Sequence, residues 1–181
     1  MKKFLSVLFT LAFVNASFAA DAANDKSYLE IGYTGLTYKE DSYSFSPSNI
    51  RLVVGKNDGN IGYEGLFGLN ASNSSQTISG VAVSYKTNYI LGLYGKALVR
   101  PSEEMELFGR LGWAKIDQTV TLTGAVRGIS VSDSGSGLSY GFGAKYKIAK
   151  NINLNADYMV YYPTKNDVSL TGYTFGLGFD F

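Results

Sequence analysis

The 181-residue chain has no cysteine, no histidine, three prolines and only 17% charged residues. Without cysteine there is no disulfide framework, thiolate metal site or thiol nucleophile. Without histidine the commonest general base and the commonest metal ligand are both missing. Globular domains usually carry about 25% charged residues. Here 16 Lys and Arg stand against 15 Asp and Glu, a formal charge of +1, so no basic surplus exists for binding nucleic acid. Beyond the first twenty residues there is also no apolar run of the roughly 18 residues that a membrane helix needs. What the chain has in excess is 14 Tyr, 11 Phe and 21 Gly, with 45% hydrophobic residues and a mean hydropathy of -0.00. Its length suits one domain with a real core.

Met1, Lys2 and Lys3 precede an apolar run from Phe4 to Val14 that is interrupted only by Ser6 and Thr10. Ser17 and Ala19 follow at the small-residue spacing of a signal-peptidase site. The run is too short for a permanent anchor. The sequence therefore predicts a cleaved secretory signal peptide over 1–19, with Ala22 as the second choice of cleavage site. A short segment over 20–27 then leads into one domain over 28–181. Loss of Lys2 and Lys3 leaves 14 basic and 15 acidic residues, a net charge of -1.

From Tyr28 onward the residues alternate with a period of two, broken at intervals by Gly, Asn, Asp, Ser and Pro. The pattern predicts eight strands: Tyr28 to Tyr38, Asn49 to Lys56, Asn60 to Asn70, Val81 to Val99, Glu106 to Lys115, Leu138 to Ile148, Ile152 to Tyr161 and Leu170 to Phe181. Most match the roughly 9 to 11 residues of a tilted membrane strand, and helical spacing is absent after the leader. The connections Asn57 to Gly59, Arg100 to Met105 and Ala149 to Asn151 are short. Those at Lys39 to Ser48, Ala71 to Gly80, Ile116 to Gly137 and Tyr162 to Ser169 are longer and polar. Alternation of short and long connections describes an up-and-down meander with two unlike ends. Within the third long connection, Val120, Leu122, Val126, Arg127, Ile129 and Val131 mark a hairpin projecting beyond the strands, with an exposed edge able to accept a partner's strand.

Sorted by parity, one face carries Leu29, Ile31 and Tyr33; Ile50, Leu52 and Val54; Tyr63, Phe67 and Leu69; and so on through Leu91, Leu93, Leu111, Trp113, Phe142 and Leu154 to Phe175 and Phe179. The other face carries Glu30, Arg51, Glu64, Lys96, Glu106, Arg110, Lys145, Lys147, Asp157 and Asp180. A soluble barrel would show the reverse. A charge facing lipid at the midplane costs roughly 2–4 kcal/mol, so the charged face must line the interior. The expected fold is all-β, an eight-stranded antiparallel up-and-down transmembrane β-barrel whose closure satisfies the backbone without water.

Ten glycines share the inward face: Gly32, Gly55, Gly62, Gly68, Gly92, Gly112, Gly141, Gly143, Gly176 and Gly178. An eight-stranded barrel has an interior just wide enough for side chains to fill it, so long charged groups interleave there only beside small neighbours. Gly141-Phe142-Gly143 and Gly176-Leu177-Gly178 precede no helix and are not phosphate loops. Glu30, Arg51, Glu64, Lys96, Arg110, Lys145 and Asp157 form the candidate lumen network. It reads either as ion pairs that fill and stiffen the barrel, or as a polar path for ions or very small solutes.

The leader, the alternating strands and an end of the form Tyr173-x-Phe175-x-Leu177-x-Phe179-x-Phe181 resemble the small outer-membrane barrels of the OmpA/OmpX-like family over Tyr28 to Phe181. Leu52-Val53-Val54-Gly55, Tyr140-Gly141-Phe142-Gly143 and Asn151 to Tyr158 are similar in kind. The resemblance implies residence in a Gram-negative outer membrane after Sec-dependent export, contact with outer-membrane lipid, and long loops facing the exterior. It also implies that Tyr173, Phe175, Leu177, Phe179 and Phe181 are read by the barrel-assembly machinery, and that the periplasmic domain of larger members is lacking. Barrel enzymes of similar size rely on a catalytic histidine, which this chain lacks. The expectation is therefore a monomeric, non-enzymatic barrel with no cofactor and no metal. Its loops would serve envelope integrity, adhesion or an extracellular or host-surface ligand; a narrow channel is the alternative.

Overall fold

The computed structural model describes residues 25–40, 43–78, 80–124, 128–165 and 168–181. The predicted leader lies outside the described residues, as do Val126 and Arg127 of the predicted hairpin. Ten strands are formed: β1 (Asp25–Glu40), β2 (Tyr43–Phe45), β3 (Ser48–Asp58), β4 (Ile61–Ser72), β5 (Ser74–Ile78), β6 (Val81–Val99), β7 (Met105–Thr123), β8 (Ile129–Ala149), β9 (Ile152–Lys165) and β10 (Val168–Asp180).

Eight of them are the staves of a closed wall in the order β10-β9-β8-β7-β6-β4-β3-β1, and β1 pairs β10 to complete the circle. The remaining two, β2 and β5, add to β1 and β6 at one rim. The expected eight-stranded antiparallel up-and-down barrel is thus the fold. The register can be followed round the wall from Gly35 through Tyr173, Tyr158, Phe142, Gly109, Ala97, Ile61 and Asp58. The circuit returns to β1 at Asp25, ten residues from its start. A stagger of this size tilts the strands by about 45°.

Alternation places the side chains as the sequence requires. Leu93 (75% exposed), Phe175 and Phe142 stand outside, whereas Glu30, Arg51, Glu64, Lys96, Arg110 and Asp157 are all buried. The glycines divide the same way. A Cβ at nine of the ten inward glycines would strike a neighbour, and at Gly68 it would press on Asn49 at 3.3 Å, whereas at the outward Gly65, Gly95 and Gly109 nothing lies nearer than 3.8 Å. Many inward glycines sit directly across from a bulky partner: Gly55 from Tyr28 via β3 to β1, Gly112 from Tyr94, Gly141 from Met159 and Gly143 from Asp157. Opposing a large residue with none fits the barrel's small cross-section. Gly59 has a different task. It turns β3 into β4 at a φ of 61°, which side chains rarely adopt.

Several sequence boundaries move. Only the strand Val81 to Val99 keeps both predicted ends. The predicted strand Glu106 to Lys115 runs on to Thr123, and the one predicted from Leu138 begins at Ile129, so the Ile116 to Gly137 connection is mostly sheet. Its ladder runs unbroken from Ile116–Gly135 to Leu122–Ile129. The pairing survives the serine-rich sequence because hydroxyls cross-link the two strands, Thr119 to Ser132 and Thr121 to Ser130, each at 2.9 Å. The predicted connections Lys39 to Ser48 and Ala71 to Gly80 hold β2 and β5, which are too short for a periodic signal. The Tyr162 to Ser169 connection is narrowed by β9 and β10.

The interior is not polar throughout. The charged groups fill the half nearer the short turns. Towards the extended rim, Leu36, Ile90, Ile116 and Leu170 make an apolar layer, and Tyr38, Phe45 and Tyr85 stack above it with ring centroids 4.3 and 5.7 Å from Tyr85. Tyr38 donates to Glu40 (2.7 Å) and Tyr85 to Gln118 (2.5 Å). Burial raises both hydroxyls above tyrosine's usual pKa, which keeps them neutral donors. Leu36, Ile90 and Ile116 share the parity of the charges on their strands, whereas Tyr85 has the opposite parity to Lys96 and turns inward because the β6 ladder shifts between Thr87 and Tyr89. Period two assigns the face only within a regular stretch, and the sequence says nothing about level along the axis.

Candidate functional site

Two regions bear on function, the charged lumen and the rim built by β5 to β8. In the lumen, Arg110 of β7 is the hub. Its guanidinium donates to Glu64 of β4, to Asp157 of β9 (2.8 Å) and to Glu30 of β1 (3.1 Å). Arg51 of β3 makes a two-pronged pair with the same Asp157, one prong at 2.8 Å. Lys145 of β8 pairs with Glu30 at 2.6 Å. Lys96 of β6 lies 2.7 Å from Glu106 and 3.8 Å from Glu64.

All seven predicted lumen residues therefore meet in one connected network, to which Glu106 belongs as an eighth member. Four cations face four carboxylates, which offsets the desolvation that burial imposes. Lys147 and Asp180 share the charged parity but stand outside the network. Lys147 is exposed at the short-turn rim, where alternation carries its side chain past the end of the wall, and Asp180 accepts from Asn153 at 3.2 Å.

Two aromatic residues of the network have no counterpart in the sequence reading. Tyr28 donates to Glu64 and lies under the Lys145 ammonium, 3.7 Å from its ring centroid. Phe108 faces Arg110 at 4.4 Å and Lys96 at 4.8 Å. Cations over aromatic faces gain when desolvated. Parity with Glu30 and Arg110 marks both residues as inward; the general preference of aromatic residues for the lipid face obscured it.

At the opposite rim, β6, β7 and β8 continue beyond the belt as a fin, with β5 paired along the other edge of β6. Its outer face is hydroxylated. Its inner face carries Val120, partly buried against the lumen's apolar layer, and the more exposed Leu122, Ile129 and Val131, the last two at 59%. Ile129 pairs with Leu122 and Val131 with Val120. Pairing of β8 with β9 begins only at Tyr140, so from Ile129 to Ser139 one edge of β8 has no neighbouring strand among the described residues. Tyr173, Phe175, Leu177, Phe179 and Phe181 form an exposed outward column on and just after β10, the closing strand.

A closed wall of eight staves, apolar outside and ion-paired inside, belongs in a membrane that is crossed by strands. The family model described as outer membrane protein beta-barrel domain matches residues 6–181. The chain belongs to that family. Solved small outer-membrane barrels share this fold. Ail, the attachment invasion locus protein of Yersinia pestis, solved with the heparin analogue sucrose octasulfate, is 23% identical with a TM-score of 0.65, covering 87% of this chain and 99% of its own. Neisserial surface protein A is 14% identical (TM-score 0.64, 86% and 97% covered). The N-terminal barrel of Pseudomonas aeruginosa OprF is 15% identical (0.54, 85% and 97%). No curated protein sequence matches the chain. As an outer membrane protein beta-barrel domain, the chain places its ion-pair network in the membrane-spanning part and its fin in water.

Proposed function

We propose that this outer-membrane barrel is a non-enzymatic surface protein, monomeric in the bilayer, whose rigid stem presents the β6–β8 fin to the exterior as an adhesive edge. The observation that carries the reading is the open edge of β8 from Ile129 to Ser139, backed by the exposed apolar side chains of Leu122, Ile129 and Val131. Exposed edges are usually blunted by lysine, proline or cover, and β8 has neither residue between Ile129 and Ser139. An edge of this kind binds by adding a partner's strand. The lumen argues for a stem, since its carboxylates are all engaged by cations. Export through the Sec pathway with cleavage after Ala19, and reading of Phe181 by the assembly machinery, complete the proposal.

Replacing 119–132 by a two-residue turn is expected to leave insertion and heat-modifiable gel migration intact and to abolish adhesion to host cells. Ile129→Lys with Val131→Lys should weaken adhesion similarly by charging the edge. Undiminished adhesion in both variants would refute the fin as the binding element. The loop charges Lys39, Glu40, Asp41, Asp117, Arg127, Asp133, Lys165 and Asp167 are few and mixed, so immobilised heparin should not retain this barrel, although Ail was solved with a heparin analogue.

The second reading is a narrow channel. It draws on the buried amides of Asn49 and Asn155, which find no protein partner and would suit a hydrated path. Against it stand the Tyr38–Tyr85–Phe45 stack and the apolar layer beneath it. Purified barrel in planar bilayers should be silent. Reproducible conductance altered by Glu64→Ala would replace the stem reading with the channel.

A further inference from the structure

On the outward face an apolar hollow lies over Gly65, a groove of about 530 Å³ running between β3, β4, β6 and β7. Its walls are Val54, Phe67, Leu91, Leu93 and Trp113, and its one charged lining residue is Lys115. Packing does not demand glycine at its floor, because a Cβ on Gly65 would meet only the Val54 carbonyl oxygen, at 4.0 Å. The missing side chain is what opens the groove. Its volume falls within the range of small-ligand clefts, about 300–1,000 Å³.

Lys115 is the first charge on the outward face of β7 above Leu107, Gly109, Leu111 and Trp113, at the level where the apolar belt gives way to the fin. It is exposed and has no ion pair or hydrogen bond among the described residues. Its cross-strand neighbour Ser136 is an exposed hydroxyl donor on the same face. The carboxylate above, Asp117, already accepts from the Asn88 amide at 2.6 Å. A cation at the interfacial level, beside an apolar trough on the outward face, is complementary to one molecule class: an acyl chain attached to an anionic head.

We propose that the groove over Gly65 holds one phosphorylated, acylated lipid of the surrounding leaflet. One acyl chain lies along Leu91, Leu93 and Trp113, and the phosphate meets the Lys115 ammonium beside the Ser136 hydroxyl. Charge-assisted bonds to phosphate are stronger than neutral ones, so the head fixes the lipid and the groove orients its tail. This site is separate from the β8 edge, and it rests with it on the reading that the fin end faces the exterior.

The test is native mass spectrometry of the full barrel in detergent with diphosphoryl lipid A, the same lipid stripped of phosphate, or inorganic phosphate. A single lipid A adduct should survive collisional activation that removes the stripped lipid, and inorganic phosphate should not bind. Lys115→Gln should lower retention of lipid A roughly tenfold, the loss of one charge-assisted contact, to the level of the stripped lipid. Gly65→Leu should abolish both adducts while heat-modifiable migration persists, because the groove has room for the side chain. Lys147→Gln, at the other rim, should behave as wild type. Wild-type retention by both Lys115→Gln and Gly65→Leu, or equal binding of free phosphate, would overturn the site.

Discussion

Arg110→Ala is expected to destabilise the barrel by about 3–5 kcal/mol, the loss seen when one partner of a buried ion pair is removed. The guanidinium is buried and supplies bonds to Glu64, Asp157 and Glu30 at once. Without it, four carboxylates, Glu106 among them, share a narrow lumen with only Arg51, Lys96 and Lys145. Asp157 keeps Arg51 and Glu30 keeps Lys145. Glu64 is left with Tyr28 and with Lys96 at 3.8 Å, so it bears most of the loss. The double variant Arg110→Met with Glu64→Gln should therefore recover a large part of the stability, because it removes the stranded charge along with its partner. Urea-unfolding midpoints in lipid bilayers measure both, with Lys147→Ala as the exposed reference expected to shift little. An Arg110→Ala midpoint equal to that reference would mean that the network contributes nothing to the fold.

Gly112→Val should produce no heat-modifiable barrel at all. A Cβ at that position would overlap the Leu93 carbonyl and the Tyr94 backbone and ring across the β6–β7 ladder. Backbone is the neighbour least able to yield. The Tyr94 ring is itself held by a 2.9 Å bond to Ser139, which in turn donates to the Val160 carbonyl at 2.9 Å. Relief would thus mean parting β6 from β7 or breaking a buried chain of hydroxyls. Gly35→Val provides the contrast, because no atom lies within 4 Å of a Cβ there, and valine suits a strand better than glycine. Folding yield read from boiled and unboiled gel samples should separate the two. Folded Gly112→Val at wild-type yield would show that inward glycines are conveniences of composition and not requirements of packing.

The reach of the sequence follows from what a period of two encodes. It specifies which side of the wall each residue faces, and so Glu30, Arg51, Glu64, Lys96, Arg110, Lys145 and Asp157 were identifiable as one inward set. It does not specify registry between strands. That Arg110 lies at the level of Glu30, 80 residues away, depends on every ladder between them. The same limit hid the division of the lumen: Ile90 and Lys96 share a face of β6 but belong to different layers. Tyr28 and Phe108 were obscured by a second cause, since outward aromatics are the commoner case in a membrane barrel and only a neighbouring cation marks the exceptions. In the fin, the serine-rich stretch of β8 lacks the apolar alternation by which strands are recognised, and its pairing is held by backbone bonds and hydroxyl rungs that leave no periodic trace.

Arg110 also has a consequence for how such a wall is put together. Sliding one strand past its neighbour by two residues keeps every side chain on its proper side, so lipid and lumen cannot detect the error. It does, however, displace that strand by about 7 Å. Arg110 on β7 gathers carboxylates from β4, β1 and β9, none of which adjoins β7 in the wall. A slip at a seam between β7 and any of these strands carries at least one carboxylate out of reach, and the seam where β1 meets β10 is included in the circuit. One guanidinium thus proofreads the circumference, and a barrel closed in the wrong registration would carry an unanswered charge at its centre.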